Sequence, residues 1–223
     1  MAIPIESSPP PGWDREGIDG LLGLFPPGRL SEIVGPPRSS GGSSLLLALI
    51  ARITASEREG GRSGQVAFVD GMDTLDPASV AAAGADLSEL LWVKCGGRLR
   101  AALSAADLLT RCPGFSLVVL DVDELGPVPA SAHLRLQRAV EGSDTILIVR
   151  SARHREGTPA SLVLTARRLA PRWIGLRPLT RLGGLRTEVS VLRSRLHQTP
   201  VPALSPQGRG QGEGSCWTVD WML

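Results

Sequence analysis

Leu30-Ser-Glu-Ile-Val34 runs into Gly35-Pro-Pro-Arg-Ser-Ser-Gly-Gly-Ser-Ser44 and then into Leu45-Leu-Leu-Ala-Leu-Ile-Ala51. A short apolar run enters a turn of glycine and serine, and a longer apolar run leaves it. Strand, glycine turn and helix in that order make a phosphate-binding loop, because successive backbone N–H groups and a helix N-terminus converge on an anion. Such a loop needs a lysine to meet the phosphates. Gly42 stands in that place, and the one lysine of the chain is Lys94. Two readings follow. The stretch is a nucleotide site that has lost its cation, or it is a tight turn whose glycines close the strand-to-helix connection.

Outward from this stretch the pattern repeats. Apolar runs without alternation lie at 66–70, 90–94, 116–121 and 145–150, separated by helical patterns at 42–56, 77–83, 99–111 and 130–141. Strands apolar on both faces belong to a parallel sheet covered by helices on both sides. Right-handed crossovers then give a doubly wound α/β domain. A short helix or turn is expected over 13–24, and Asp76-Pro77 reads as an N-cap followed by proline at the first helical position. Residues 158–164 suggest another short helix. Segments 165–176 and 185–195 read as two strands around Gly183-Gly184, an antiparallel hairpin at the sheet edge. The core thus covers 15–195. Residues 1–14 are a proline- and serine-rich leader, expected to be disordered. Residues 196–223 are a mostly disordered tail whose last eight residues, Cys216 to Leu223, are apolar enough for an edge strand or a docking peptide.

The chain has 223 residues and a net charge of +2. Nothing in it has the length of a membrane span. Cys95, Cys112 and Cys216 form no close pair and no metal spacing, which fits a reducing, cytoplasmic setting. The charge is uneven. Between Arg150 and Arg195 eleven arginines face only Glu156 and Glu188, leaving +9. A basic face of this kind suits nucleic acid or an acidic protein partner. The alternative is a set of solvated strand faces in a chain that uses arginine for lysine. The candidate contact residues are Arg150, Arg153, Arg155, Arg167, Arg168 and Arg172. His154 is expected in a solvated loop, and His133 and His197 at the surface. No serine or cysteine nucleophile accompanies them.

The ordered set of features is specific. Gly28-Arg29-Leu-Ser-Glu-Ile-Val-Gly35, Ser39-Ser40-Gly41, Ala67-Phe-Val-Asp70, Leu75-Asp-Pro77, Gly84-Ala-Asp-Leu-Ser-Glu-Leu-Leu91, Leu117–Asp121 and Arg186-Thr-Glu-Val-Ser-Val-Leu192 together resemble the core of the RecA recombinase family over roughly residues 15–195. The short form, with its arginine-rich end and Leu134-Arg-Leu-Gln-Arg-Ala-Val-Glu141, looks most like the RecA-like ImuA group. That resemblance implies a RecA-like, mostly parallel sheet and a role in DNA repair and SOS-type, damage-induced mutagenesis. The implied partners are error-prone polymerase machinery of translesion synthesis or a RecA-type protein, with single-stranded DNA as a further ligand and no membrane.

It also implies a nucleotide site at Gly35, Arg38, Ser39, Ser40, Gly41, Gly42, Ser43 and Ser44, with Ser43 at the position that binds Mg²⁺ and Asp121 as the carboxylate ending the Walker B strand. The departures bear on the chemistry. One extra residue lies between Gly35 and Gly41, Gly42 replaces the lysine, and Met72 stands where the family has the acid that activates water. Phosphoryl transfer is mostly positioning and charge neutralisation, so no catalytic residue and no ATP or Mg²⁺ cofactor is expected. The expected function is a binding, pseudo-ATPase one. The rival is a divergent ATP-dependent, DNA-binding ATPase using Arg38, Ser43 and Asp121. The intervals after the fourth and fifth strands, 122–129 and 151–159, are short for DNA-binding loops, though the second carries Arg153, His154 and Arg155.

Overall fold

Each strand is a run of apolar residues whose alternate side chains go to opposite faces, so one strand seeds two cores. In β1 (Leu30–Val34), Ile33 joins the cluster on one face, and Leu30 and Val34 join the cluster on the other. A computed structural model describes residues 15–36, 41–55, 64–174, 181–195 and 216–222. Within them the order is α1 (Arg15–Leu22), β1, α2 (Gly42–Thr54), β2 (Gln65–Asp70), α3 (Pro77–Ala82), β3 (Leu90–Lys94), α4 (Leu99–Arg111), β4 (Phe115–Asp121), α5 (Ala130–Val140), β5 (Ile146–Ser151), β6 (Leu162–Ile174), β7 (Arg181–Ser194) and β8 (Cys216–Met222). The expected leader, 1–14, lies outside the described residues.

The strands form one sheet in the order β3-β2-β4-β5-β1-β6-β7-β8. Every pairing from β3 to β6 is parallel, and β7 runs antiparallel to both β6 and β8. This is the doubly wound α/β architecture with an antiparallel edge. Helices α1 and α2 cover one face, where Leu45, Leu49 and Ile50 are buried against Phe68, Leu117 and Ile148. Helices α4 and α5 cover the other, where Ala102, Ala106 and Leu136 meet Val69, Val118 and Val149. Each fully buried Leu or Ile contributes about 1.5–3 kcal/mol of transfer free energy. Helix α3 starts as its sequence dictates: Asp76 accepts from Ala78 N and Ser79 N, and Pro77 gives up an N–H that no helical carbonyl needs.

The edge differs from expectation in two respects. Residues 158–164 are not a helix. Ser161 N donates to Leu30 O at 2.8 Å, and Leu162–Thr165 pair with Ser31–Val34, so β1 takes up the backbone groups that a short helix would have left open. The Gly183-Gly184 pair is not the hairpin turn. Arg172 faces Gly184 while Trp173 faces Leu182, so Gly183 is the extra residue of a β-bulge inside β7. Of the two readings of the last eight residues, edge strand or docking peptide, the structure shows the edge strand: β8 pairs with Gly184–Ser190 of β7. Beyond Thr165, β6 is paired with β7 alone, and Arg167 to Pro171 are exposed on both faces. Pro171, which lacks an N–H, fits a strand with one open edge.

Strand β7 also reaches across to the start of α2. Gly41 has φ +86°, a left-handed conformation, and a Cβ there would lie 2.9 Å from Cβ of Thr187 and closer still to its hydroxyl. Gly41→Ala is therefore expected to destabilise the fold by more than the roughly 1–2 kcal/mol of left-handed strain alone. Chemical denaturation checks this, and Thr187→Ala in the same chain should recover part of the loss.

Candidate functional site

The parallel register places β5 between β1, which feeds the glycine turn, and β4, which ends in Asp121. Arg150 on β5 is in register with Ile33 on one side and Asp121 on the other. Side chains of registered residues in neighbouring strands share a face, so Arg150 and Asp121 meet beneath the start of α2. The guanidinium donates to Asp121 Oδ2 at 2.8 Å through Nη1 and to Asp123 Oδ2 at 2.6 Å through Nη2. All three residues are buried, Arg150 at 8% exposure. Burial pushes the carboxyls of Asp121 and Asp123 above the ordinary range, and the charge of Arg150 offsets this only in part. The sequence places Arg150 among residues facing nucleic acid or a partner. The fold instead spends its charge internally on two carboxylates.

Of the glycine turn, Gly35 and Gly41 to Ser44 are described, whereas Arg38, Ser39 and Ser40 lie outside the described residues. Gly42 opens α2 and is buried. Ser43 is exposed on the same cleft as Asp121 and Arg150, and Ser44 is half-buried beside it. Helix α2 has no side-chain cap, Gly41 being its N-cap residue. At the other wall, β2 ends in Asp70, and Gly71 N donates to Asp121 O at 2.9 Å. Only glycine permits that approach, since a Cβ would sit 2.6 Å from the same oxygen. The chain then reverses. Met72 reaches the cleft, but Asp73, at φ +59°, turns away and accepts from Cys95 N and Gly96 N. Asp70 Oδ2 is held by Leu75 N and by Trp92 Nε1. Met72 therefore presents a thioether to the cleft, and the carboxylates on either side of it, Asp70 and Asp73, are committed to backbone and indole donors.

The match of residues 15–139 to the model of the RecA N-terminal domain family covers more than half of the chain. The chain belongs to that family. Among similar proteins, the one named RecA from Borreliella afzelii (strain PKo) is 38% identical over 106 residues, 47% of this chain and 27% of that protein. The RecA of Rickettsia prowazekii (strain Madrid E) is 37% identical over 107 residues, 47% of this chain and 29% of that protein. Less than a third of either relative is thus matched.

A second polar cluster lies on the opposite face of this RecA-type sheet. Glu32, in the middle of β1, is buried and points toward α5. His154 Nδ1 stands 2.9 Å from Glu32 Oε2, and His133 Nε2 stands 3.3 Å from Oε1. The latter is an ion-pair contact whose geometry falls short of a hydrogen bond, so Oε1 accepts none. Burial pushes the carboxyl up, but its contacts with His133, His154 and Thr158 outweigh that and hold it below the ordinary value. The expectations for two histidines are corrected here. His133 is buried on α5, and His154 is drawn inward by Glu32; His197 lies outside the described residues. The one signal in the sequence was the glutamate itself, a lone carboxylate in a strand otherwise buried on both faces.

The exposed arginines lie around the β5–β6 loop and along the edge ribbon. Arg153, Arg155, Arg167 and Arg168 are exposed; the side chain of Arg172 lies outside the description. Arg167 is partly neutralised by Glu188, at 2.7 Å across the β6–β7 pair. Arg193 turns inward to Thr158 O, Thr158 Oγ1 and Ala160 O. No helix among the described residues is long and apolar enough to cross a membrane.

Two substitutions separate the clusters. Arg150→Gln leaves two buried carboxylates without a counter-charge and is expected to cost about 3–5 kcal/mol near neutral pH. A carboxyl whose folded value is raised binds a proton in the folded state that the unfolded chain does not. Stability therefore falls as pH rises between the unfolded and folded values. The variant should widen that window and lose stability more steeply with rising pH than the wild type, as urea midpoints across a pH series would show. Glu32 has the opposite sign. Its contribution is complete above the ordinary carboxylate value and is lost as pH falls through the lowered one, so Glu32→Gln should flatten the acid limb of the same series.

Proposed function

We propose that the chain is a RecA-fold accessory protein of DNA repair, of the ImuA type that serves damage-induced mutagenesis, and that it acts by binding rather than by hydrolysing ATP. The observation behind this is the pairing of Asp121 with Arg150. In the family that carboxylate serves a metal-bound nucleotide; here its charge is met by a guanidinium of the same chain at 2.8 Å. Gly42 and Met72 stand at the lysine and acid positions, so the three charged parts of phosphoryl transfer are replaced or occupied together. A site that needs its aspartate for Mg²⁺ gains nothing from a cation built onto that aspartate.

The fold then serves as a scaffold. Its partners are the error-prone polymerase machinery or a RecA-type protein, and single-stranded DNA is a further ligand for Arg153, Arg155 and Arg168. Arginines that neutralise phosphates release counterions, so such binding falls steeply with salt. Trp173, exposed on the ribbon at 61%, adds a face on which a base could stack.

Titration of the purified chain with a fluorescent ATP analogue is the direct test. The expected outcome is no Mg²⁺-dependent binding and no turnover above background. Mg²⁺-dependent binding that drops in Asp121→Ala would overturn the proposal in favour of the divergent ATPase. In parallel, Arg153→Ala with Arg155→Ala should weaken binding to single-stranded DNA and lower its salt slope by about one to two units. Binding that ignores salt would assign the basic face to a protein partner.

A further inference from the structure

The β5–β6 loop leaves Ser151 and returns alongside β1. Backbone bonds fix its two ends: Ser151 O accepts from Gly35 N at 3.3 Å, and Ser161 N donates to Leu30 O at 2.8 Å. Near the far end Thr158 is buried, and Arg193 of β7 donates to its carbonyl at 2.8 Å and to its hydroxyl at 3.0 Å. Between these anchors come Arg153, His154, Arg155 and Glu156. Three of the four are exposed. His154 is turned inward, its side chain 17% exposed.

The group that draws it in is on β1. Glu32 is 1% exposed, and its Oε2 lies 2.9 Å from His154 Nδ1. Burial raises that carboxyl, but the contacts around it hold it below the ordinary value, so Glu32 is ionised at neutral pH. An ionised carboxylate only accepts, and Nδ1 therefore carries the hydrogen. Hydrogen bonds to an ionised partner are about twice as strong as neutral ones. The other imidazole at Glu32, that of His133, belongs to α5 and does not restrain the loop. In extended backbone, residues i and i+2 share a side. With His154 drawn to the sheet, Arg153 and Arg155 are left together on the side away from it. Their exposure shows the same alternation: out, in, out. Arg150 and Arg167, by contrast, pair with carboxylates of the fold.

We infer that Glu32 and His154 are a positioning pair for this loop. The carboxylate holds the imidazole, and the held imidazole presents Arg153 and Arg155 as a two-guanidinium contact for the phosphates of single-stranded DNA. Neither member of the pair touches the nucleic acid. Side chains that are already held lose less freedom on binding. The inference rests on the reading of those two arginines as DNA contacts.

A fluorescently labelled oligothymidylate, titrated by anisotropy, reads the affinity of the whole chain. Hydrogen exchange in a peptide covering 151–159 reads the loop. His154→Ala should speed exchange in that peptide, leave exchange over 117–121 unchanged, and weaken DNA binding roughly tenfold, the order expected for immobilising two arginine side chains. His154→Asn is the conservative variant. Its amide nitrogen is bonded to Cγ, as Nδ1 is, and can donate to Glu32, so most of the protection and the affinity should return. Glu32→Gln should weaken DNA binding in the wild-type background and change nothing further in His154→Ala, because the carboxylate acts through the imidazole. Wild-type affinity in His154→Ala overturns the inference, and so do additive losses in the double variant. His154→Asn as weak as His154→Ala also overturns it, placing the imidazole on the phosphate itself. Arg153→Ala with Arg155→Ala keeps the two readings apart. If that variant binds DNA as the wild type does, the role of the arginines fails and this inference with it. If it binds weakly while His154→Ala does not, this inference alone fails.

Discussion

Arg150 on Asp121 and Asp123 is the contact on which the character of the cleft depends. It exists because the sheet places β5 between the strand that feeds the glycine turn and the strand that ends in Asp121. A buried ion pair is a poor source of stability, because desolvating both partners costs nearly as much as their attraction returns. Its value lies in what it excludes. Once a guanidinium is hydrogen-bonded to both carboxylates, a metal has to displace a covalently tethered rival whose effective concentration does not fall with dilution. The same contact ties the end of β4 to the middle of the sheet at the point where Gly71 brings β2 against Asp121.

The two faces of the sheet treat buried charge differently. On the α2 face two carboxylates share one cation, and their carboxyls are raised. On the α5 face one carboxylate is approached by two imidazoles, and its carboxyl is lowered. In His133 the second ring nitrogen, Nδ1, lies 3.3 Å from Pro129 O, so both nitrogens of that buried ring face acceptors. On one face, then, a single carboxylate has two imidazoles beside it; on the other, two carboxylates have one guanidinium.

Much of the fold was legible in the sequence, for a physical reason. Strands such as 66–70 and 117–121 are buried on both faces, so their composition leaves no room for another structure. Asp76-Pro77 announced its helix because capping is a local matter. The edge was harder to read. Beyond Ala166 both faces of β6 are exposed as far as Pro171, so no apolar pattern marks its length, and a glycine pair serves a bulge as well as a turn. The site was legible only in part. That the glycine turn carries no lysine could be read at once, since the one lysine of the chain is Lys94. Arg150 could not be distinguished from the arginines that follow it, because its partner Asp121 lies 29 residues away. His133 was misread for the same reason: the glutamate that draws it inward is a hundred residues earlier in the chain.

The place of β8 has a consequence for how the protein is made. Residues 216–222 cover the outer edge of β7 along Gly184–Ser190, and Thr187 in that stretch is the residue packed on Gly41. On the ribosome, β6 and β7 emerge well before β8. During that interval the strand that braces the glycine turn presents an unpaired row of N–H and C=O groups, the kind of edge that invites pairing with another chain. Exposed charge beside such an edge, here Arg167 and Arg168, is a feature that disfavours pairing between copies.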